Sequence, residues 1–433
     1  MNKNTCVIYA PISTYSGYGA NARDKVKALI NLKKDEWDIK IISCPWGDTP
    51  KNFIEENKDR WGFLEEYILK EPLNYQPDYM FWITIPPEAQ KAGKWNCLIT
   101  AGIETDICSP TWIEGCNRMD LVLTSSNHSK KVFESTSYEA RDNQTGQTQI
   151  LKLTTPVEVL FEGANLDVYK PIKEFTNKEL HSYLNSIPEN FAYLFVGHWL
   201  QGEIGHDRKN VGLLVKAFYE VFKNKSNAPA LILKTSGGKG SHMDRREVLK
   251  RINVIRKSTP ASKLPSVYLL HGDLSDSDIN ELYNHPKIKS MISATKGEGF
   301  GRPLLEFALT GKPLIATGWS GQTDFLNPKL CAMMGGQLEN IHPSAQQKDM
   351  LIENSQWFSV DHGHLGHFLN DVKKNYKTWL PKSKSLSNNL RKNFSYEAMK
   401  KLLIDLLDQN VNVPTQVQIK LPNLKEVKLP TLQ

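Results

Sequence analysis

Two glutamates, Glu298 and Glu306, stand with seven residues between them in the segment 296–326. Gly297, Gly299 and Gly301 surround the first, and Pro303 fits the opening turn of a helix that carries the second. Glycine lets a backbone approach a ligand closely, and the free N–H groups of a helix start, with the helix dipole behind them, suit an anion. Carboxylates so placed accept hydrogen bonds from hydroxyl groups. The pattern suits a polyhydroxyl compound joined to a diphosphate. Glu298 then faces sugar hydroxyls, Glu306 faces ribose hydroxyls, and the amides near Phe300 and Gly301 meet sugar or phosphate.

Positive charge for a diphosphate comes from Arg208 and Lys209, in the run 207–210 just ahead of an apolar helical stripe. A guanidinium binds phosphate oxygens bidentately, so Arg208 can act from a neighbouring position. A basic helix entrance on the surface is the competing reading. Lys234, at the end of a strand, is either a phosphate ligand or a surface lysine with a buried stem. Gly17 and Gly19 follow the first strand and open a helix, without the third glycine of a dinucleotide fingerprint, which disfavours an NAD site. By themselves they fit a plain strand–helix turn. Glu104 and Asp106 close another strand and fit either sugar or acceptor hydroxyls or local capping.

These residues fall at the ends of short apolar runs that alternate with amphipathic stretches, twice over. Runs at 6–12, 37–43, 79–85, 97–102 and 121–126 predict strands in the first half. Runs at 192–199, 230–238, 267–273, 289–295 and 312–317 predict them in the second. Helices are expected over 21–32 and 129–135, after Asn210, from Ser275 with Asp278 in a capping box, and from Tyr396. Strands alternating with helices predict an α/β chain with parallel sheets, doubly wound, and ligands at the strands' carboxyl ends. The polar run 139–149 reads as an exposed loop. The reading divides the chain into a first domain over 1–170, a second over 171–410, and an extended tail over 411–433 that contains Pro422 and Pro430.

A length of 433 residues fits two cores. With 54 basic and 47 acidic residues the net charge of +7 is compatible with an anionic ligand, and equally with a solvated basic surface. Six scattered cysteines without paired spacing exclude the usual zinc patterns and predict a reducing, cytoplasmic setting. No apolar run is long enough for a membrane span, and the first apolar run is too short for a signal peptide.

The run Glu298–Gly299–Phe300–Gly301 with Glu306 resembles the Glu-x7-Glu signature of retaining GT-B glycosyltransferases, the large family that includes sucrose synthases, glycogen synthases and many bacterial mannosyl- and glucosyltransferases. Segments 157–171, 267–283, 312–326 and 393–407 resemble the family's inter-domain strand and its later elements in order. The resemblance spans nearly all of the second half and thinly covers the first. It implies two Rossmann-like domains facing across a cleft and transfer from a nucleoside-diphosphate sugar, a UDP-sugar above all. It also implies retained anomeric configuration and no required metal or other cofactor. Lys209 matches the family's lysine, whereas His198 occupies the place of its arginine, and Arg208 is the substitute. On this model Glu298, Lys209 and Arg208 carry catalysis. Phe300, Gly301, Glu306, Gly17, Gly19, His198 and Lys234 bind the donor.

The acceptor stays open among saccharides, glycoconjugates and a hydroxymethylated DNA base, the last of which would have to leave its stack. Two rivals stand beside this reading. One is a phosphorylase or epimerase on the same architecture. The other is a nucleic-acid-binding protein on a degenerate transferase fold, which need not keep both Glu298 and Glu306.

Overall fold

Runs of consecutive Val, Ile, Leu and aromatic residues have no polar face to offer water, so they pair side by side beneath helices on both faces. The computed structural model describes residues 3–141, 146, 148–238 and 240–411. It contains two six-stranded parallel sheets. The first is built from β1 (Asn4–Ala10), β2 (Trp37–Ser43), β3 (Tyr79–Ile83), β4 (Trp95–Thr100), β5 (Leu121–Thr124) and β8 (Val157–Val159), in the order β2-β1-β3-β4-β5-β8. Between β5 and β8 lies an antiparallel hairpin of β6 (Ser137–Arg141) and β7 (Thr148–Lys152). The expected loop at 139–149 is therefore partly strand. Strand β7 is almost wholly exposed, so no apolar alternation marks it.

The second sheet holds β9 (Ala192–Val196), β10 (Ala230–Lys234), β11 (Val267–Leu270), β12 (Ile288–Ser293), β13 (Leu314–Thr317) and β14 (Ala332–Met334). Their order is β11-β10-β9-β12-β13-β14. A short antiparallel pair, β15 (Gly336–Asn340) with β16 (Gln356–Val360), follows. The chain runs outward from β9 through β10 to β11, then returns to the other side of β9 to lay down β12. This reversal opens a crevice beyond the carboxyl ends of β9 and β12. The helix Val211–Phe222 behind it buries its apolar stripe of Val211, Leu214, Val215, Phe218 and Phe222. At the helix Asp276–Asn284, the Ser275 hydroxyl accepts from the Asp278 amide as the capping box requires.

The helix Tyr396–Asn410 departs from the expected division of the chain. Its Met399, Leu403 and Leu407 are buried in the same core as Cys6, Ile8 and Val26 of the first domain. By packing, 396–410 completes the first core rather than the second. Two chain segments thus cross between the domains side by side, with Ala164 and Phe394–Tyr396 exchanging backbone hydrogen bonds. Gly163 permits that crossing, since a Cβ there would lie 2.7 Å from the Ser395 carbonyl oxygen. The tail reading over 411–433 falls, beyond Val411, outside the described residues.

Candidate active site

The loops that leave β9 and β12 converge at the reversal of strand order. Asp207 fixes the first of them: buried, it accepts the amides of Val211 at 3.0 Å and Gly212 at 3.4 Å, capping the helix start. Asn210 takes the left-handed conformation, φ 56°, that turns the loop into the helix. Arg208 and Lys209 are held between these two anchors, and the Arg208 carbonyl accepts the Lys296 amide at 2.8 Å, joining the two loops.

Lys209 Nζ lies 2.5 Å from Glu298 Oε1. Arg208 Nη1 donates to the Gly297 carbonyl at 2.9 Å and stands 3.6 Å from Glu298 Oε2 and 3.4 Å from Glu104 Oε1. The Glu298 backbone is fixed at both ends, its amide by Ser320 Oγ at 2.9 Å and its carbonyl by the Gly321 amide at 2.9 Å. Burial pushes the Glu298 carboxyl up, but Lys209 and Arg208 outweigh it and hold it below its ordinary range. Burial lowers the Lys209 ammonium, with Glu298 opposing. The sequence-predicted group Glu298, Lys209, Arg208 and Glu104 is thus one charge cluster with residues from both domains.

The glycines around Glu298 serve a purpose other than the expected one. A Cβ on Gly297 would lie 2.0 Å from the Glu104 carbonyl oxygen, and one on Gly299 2.0 Å from that of Ala101. Both positions are glycine because the loop presses against the first domain's backbone. Gly301, at φ 100°, holds the left-handed turn into the helix Arg302–Ala308. Phe300 sends its ring into the core, 4.9 Å from Phe325.

Other expected residues are engaged elsewhere. Glu306 lies apart from the cluster, buried, with Oε1 accepting from Arg302 Nε at 2.8 Å. Burial pushes its carboxyl up to about 7 against the pull of Arg302. Asp106 is bound across the domains, its Oδ1 accepting the Gln356 amide at 2.6 Å. Lys234 Nζ donates to the Gly272 carbonyl at 2.6 Å. His198 Nδ1 is 3.1 Å from Ser236 Oγ, and burial together with Lys209 and Lys234 lowers its pKa, so the ring adds no positive charge at neutral pH. Gly17 opens the helix Gly17–Lys33, and Gly19 gives its amide to the Ser16 cap. A Cβ on Gly19 would strike the Thr14 carbonyl at 2.4 Å, which accounts for that glycine without a ligand.

Sequence reasoning missed Arg302, Asp24 and Ser320. Arg302 had a signal, since it stands four residues before Glu306 on one helix face. The Asp24 contact crosses the domains and leaves no spacing to read. Among the described residues no three His, Cys, Asp or Glu side chains come together as a metal site would need, and no helix is long and apolar enough to cross a membrane.

Two doubly wound halves whose carboxyl-end loops meet define the GT-B fold of glycosyltransferases. Solved structures share it. The Anabaena protein HepE in complex with UDP-glucose matches with a TM-score of 0.59 at 14% identity, covering 94% of this chain and 99% of its own. Sucrose-phosphate synthase from Thermosynechococcus elongatus matches at 0.59 and 10% identity, with coverage of 94% and 99%. A glycosyltransferase from Rickettsia africae matches at 0.58 and 15% identity, again over 94% and 99%. No family model matches the chain, and no curated protein does.

Proposed function

We propose that this chain is a glycosyltransferase that moves a sugar from a nucleoside-diphosphate sugar, a UDP-sugar first among them, to a hydroxyl acceptor with retention of anomeric configuration. The observation that carries the reading is the Lys209–Glu298–Arg208 cluster at the reversal of strand order. HepE, a structural neighbour, is bound to UDP-glucose in its solved structure.

In the proposed reaction the bond from the anomeric carbon to the diphosphate oxygen breaks and one to the acceptor oxygen forms on the same face. The acceptor's proton passes to the departing diphosphate. Negative charge grows on that leaving group, and Lys209 and Arg208, already at the crevice and partly desolvated, stabilise it. Glu298 accepts hydrogen bonds from the sugar hydroxyls and fixes the ring while Lys209 turns to the phosphates. Glu306 accepts from the ribose. No step in this scheme draws on a metal ion.

Titration calorimetry with UDP, UDP-glucose and GDP, followed by NMR of the anomeric product with saccharide acceptors, tests the reading. Binding of UDP-glucose and an axial product from its axial donor are expected. A product of inverted configuration overturns the retaining mechanism, and absence of any nucleotide binding overturns the assignment.

A further inference from the structure

Arg302 stands at the meeting of three carboxylates that come from three parts of the chain. Nε donates to Glu306 Oε1 at 2.8 Å, one turn along the same helix. Nη2 lies 2.7 Å from Asp24 Oδ2, on the first domain's helix Gly17–Lys33. Nη1 lies 3.8 Å from Glu162 Oε2, in the segment that crosses between the domains. All four side chains are nearly closed off from solvent, at 14% exposure for Arg302, 7% for Asp24, 8% for Glu162 and 7% for Glu306. Lys25, fully buried beside them, gives its ammonium to the carbonyls of Leu160 and Phe161.

The division of the guanidinium is informative. Nε and Nη2 form one edge of the fork, the edge that ordinarily grips both oxygens of a single carboxylate. Here that edge is split: Nε serves Glu306, and Nη2 serves Asp24 of the other domain. Arg302 therefore holds Glu306 through one oxygen and keeps off the second, while Tyr169 also hydrogen-bonds the carboxyl. Were Asp24 neutral, nothing would draw Nη2 away, and Arg302 could swing onto both oxygens of Glu306. A buried carboxylate engaged on both oxygens by a guanidinium is a poor acceptor for further hydroxyls.

We propose that Arg302 is a positioning residue and Asp24 its switch: contact with the first domain splits the arginine fork and frees one oxygen of Glu306 for the donor's ribose. The proposal rests on the donor reading given above. It makes donor affinity depend on an Asp24 that belongs to the opposite domain and acts only through Arg302. It also ties a competent ribose contact to the meeting of the two domains, which brings Asp24 to Nη2.

The test is UDP affinity by calorimetry, with KM and kcat for UDP-glucose, in Asp24→Asn, Glu306→Gln and the double variant. Asp24→Asn is expected to weaken UDP about tenfold, the worth of one charge-assisted hydrogen bond. It should raise KM while leaving kcat near its parent value, a split that a merely loosened fold does not produce. In the Glu306→Gln background, Asp24→Asn should add little. Arg302→Lys gives a second route, since an ammonium cannot close on both oxygens of Glu306 as a fork does; in that background Asp24→Asn should cost UDP affinity little. Unchanged UDP affinity in Asp24→Asn, or full additivity with Glu306→Gln, overturns the positioning role alone. Absence of UDP and GDP binding by the unaltered protein overturns the donor reading and this proposal with it.

Discussion

The ammonium of Lys209 lies 2.5 Å from Glu298 Oε1 although the two come from loops after different strands. Lys209 is thus held at the crevice by a group that the sugar itself is expected to occupy. Lys209→Ala should lower kcat by roughly 10²–10³ while raising the UDP dissociation constant far less, because charge develops on the leaving diphosphate only as the bond breaks. Steady-state kinetics beside calorimetry separate the two quantities. An unchanged kcat removes Lys209 from the chemistry.

Arg208 touches the first domain through Glu104 at 3.4 Å and the donor loop through the Gly297 carbonyl. Loss of Glu104 should therefore lower kcat/KM without any direct contact to the donor. In a double-mutant cycle of Glu104→Gln with Arg208→Gln, the coupling on kcat/KM should be roughly 0.5–3 kcal/mol, the range for contacting charged residues. Additive effects would separate the pair functionally.

Buried Glu162 and Lys25 predict a pH signature in stability. Burial raises the Glu162 carboxyl from 4.5 to about 7, so between those values the folded chain holds the proton more tightly, and stability falls as pH rises. Burial lowers Lys25 from 10.5 to about 7, so above that point the unfolded chain binds more protons, and stability climbs again. The two groups together impose a trough near neutral pH. Thermal midpoints from pH 5 to 9 should show a shallower trough in Glu162→Gln with Lys25→Met than in the parent. An identical profile would mean that neither group titrates as its burial requires.

Transfer should survive a strong chelator. The diphosphate charge in the proposed mechanism falls to Lys209, Arg208 and the amides near Gly301 rather than to a cation. Activity measured with and without EDTA, then with added magnesium or manganese, checks this. Loss of transfer that either ion restores would turn attention to Glu104 and Asp106 as oxygen ligands.

Much of this arrangement was legible in the residues because the apolar runs are short, frequent and bounded by turn residues. Every strand of the two parallel sheets except β14 was anticipated, β8 only through the resemblance of 157–171 to an inter-domain strand, and the switch point placed Glu298 and Lys209 on neighbouring loops. The hairpin of β6 and β7 escaped notice because exposed polar strands carry no alternation. The glycines at 297 and 299 were correctly read as sites of close approach, but residue type cannot say what approaches. The helix Tyr396–Asn410 was plain from its stripe, yet periodicity records that a face is buried and not against which core. Contacts such as Arg302 with Asp24 depend on how the two domains meet, and no local pattern encodes that.

Because residues 396–410 fill the first core, the second domain is topologically an insertion within the first. During synthesis the first sheet emerges early, but the helix Gly17–Lys33 on it lacks its partner until more than two hundred further residues have been made and the last helix arrives. The inserted domain can fold on its own sheet in the meantime and then deliver that helix back beside Ala164. A fragment ending near residue 170 would accordingly leave the helix Gly17–Lys33 without its partner and aggregate, whereas fusing 396–410 to it through a short linker should restore a soluble unit.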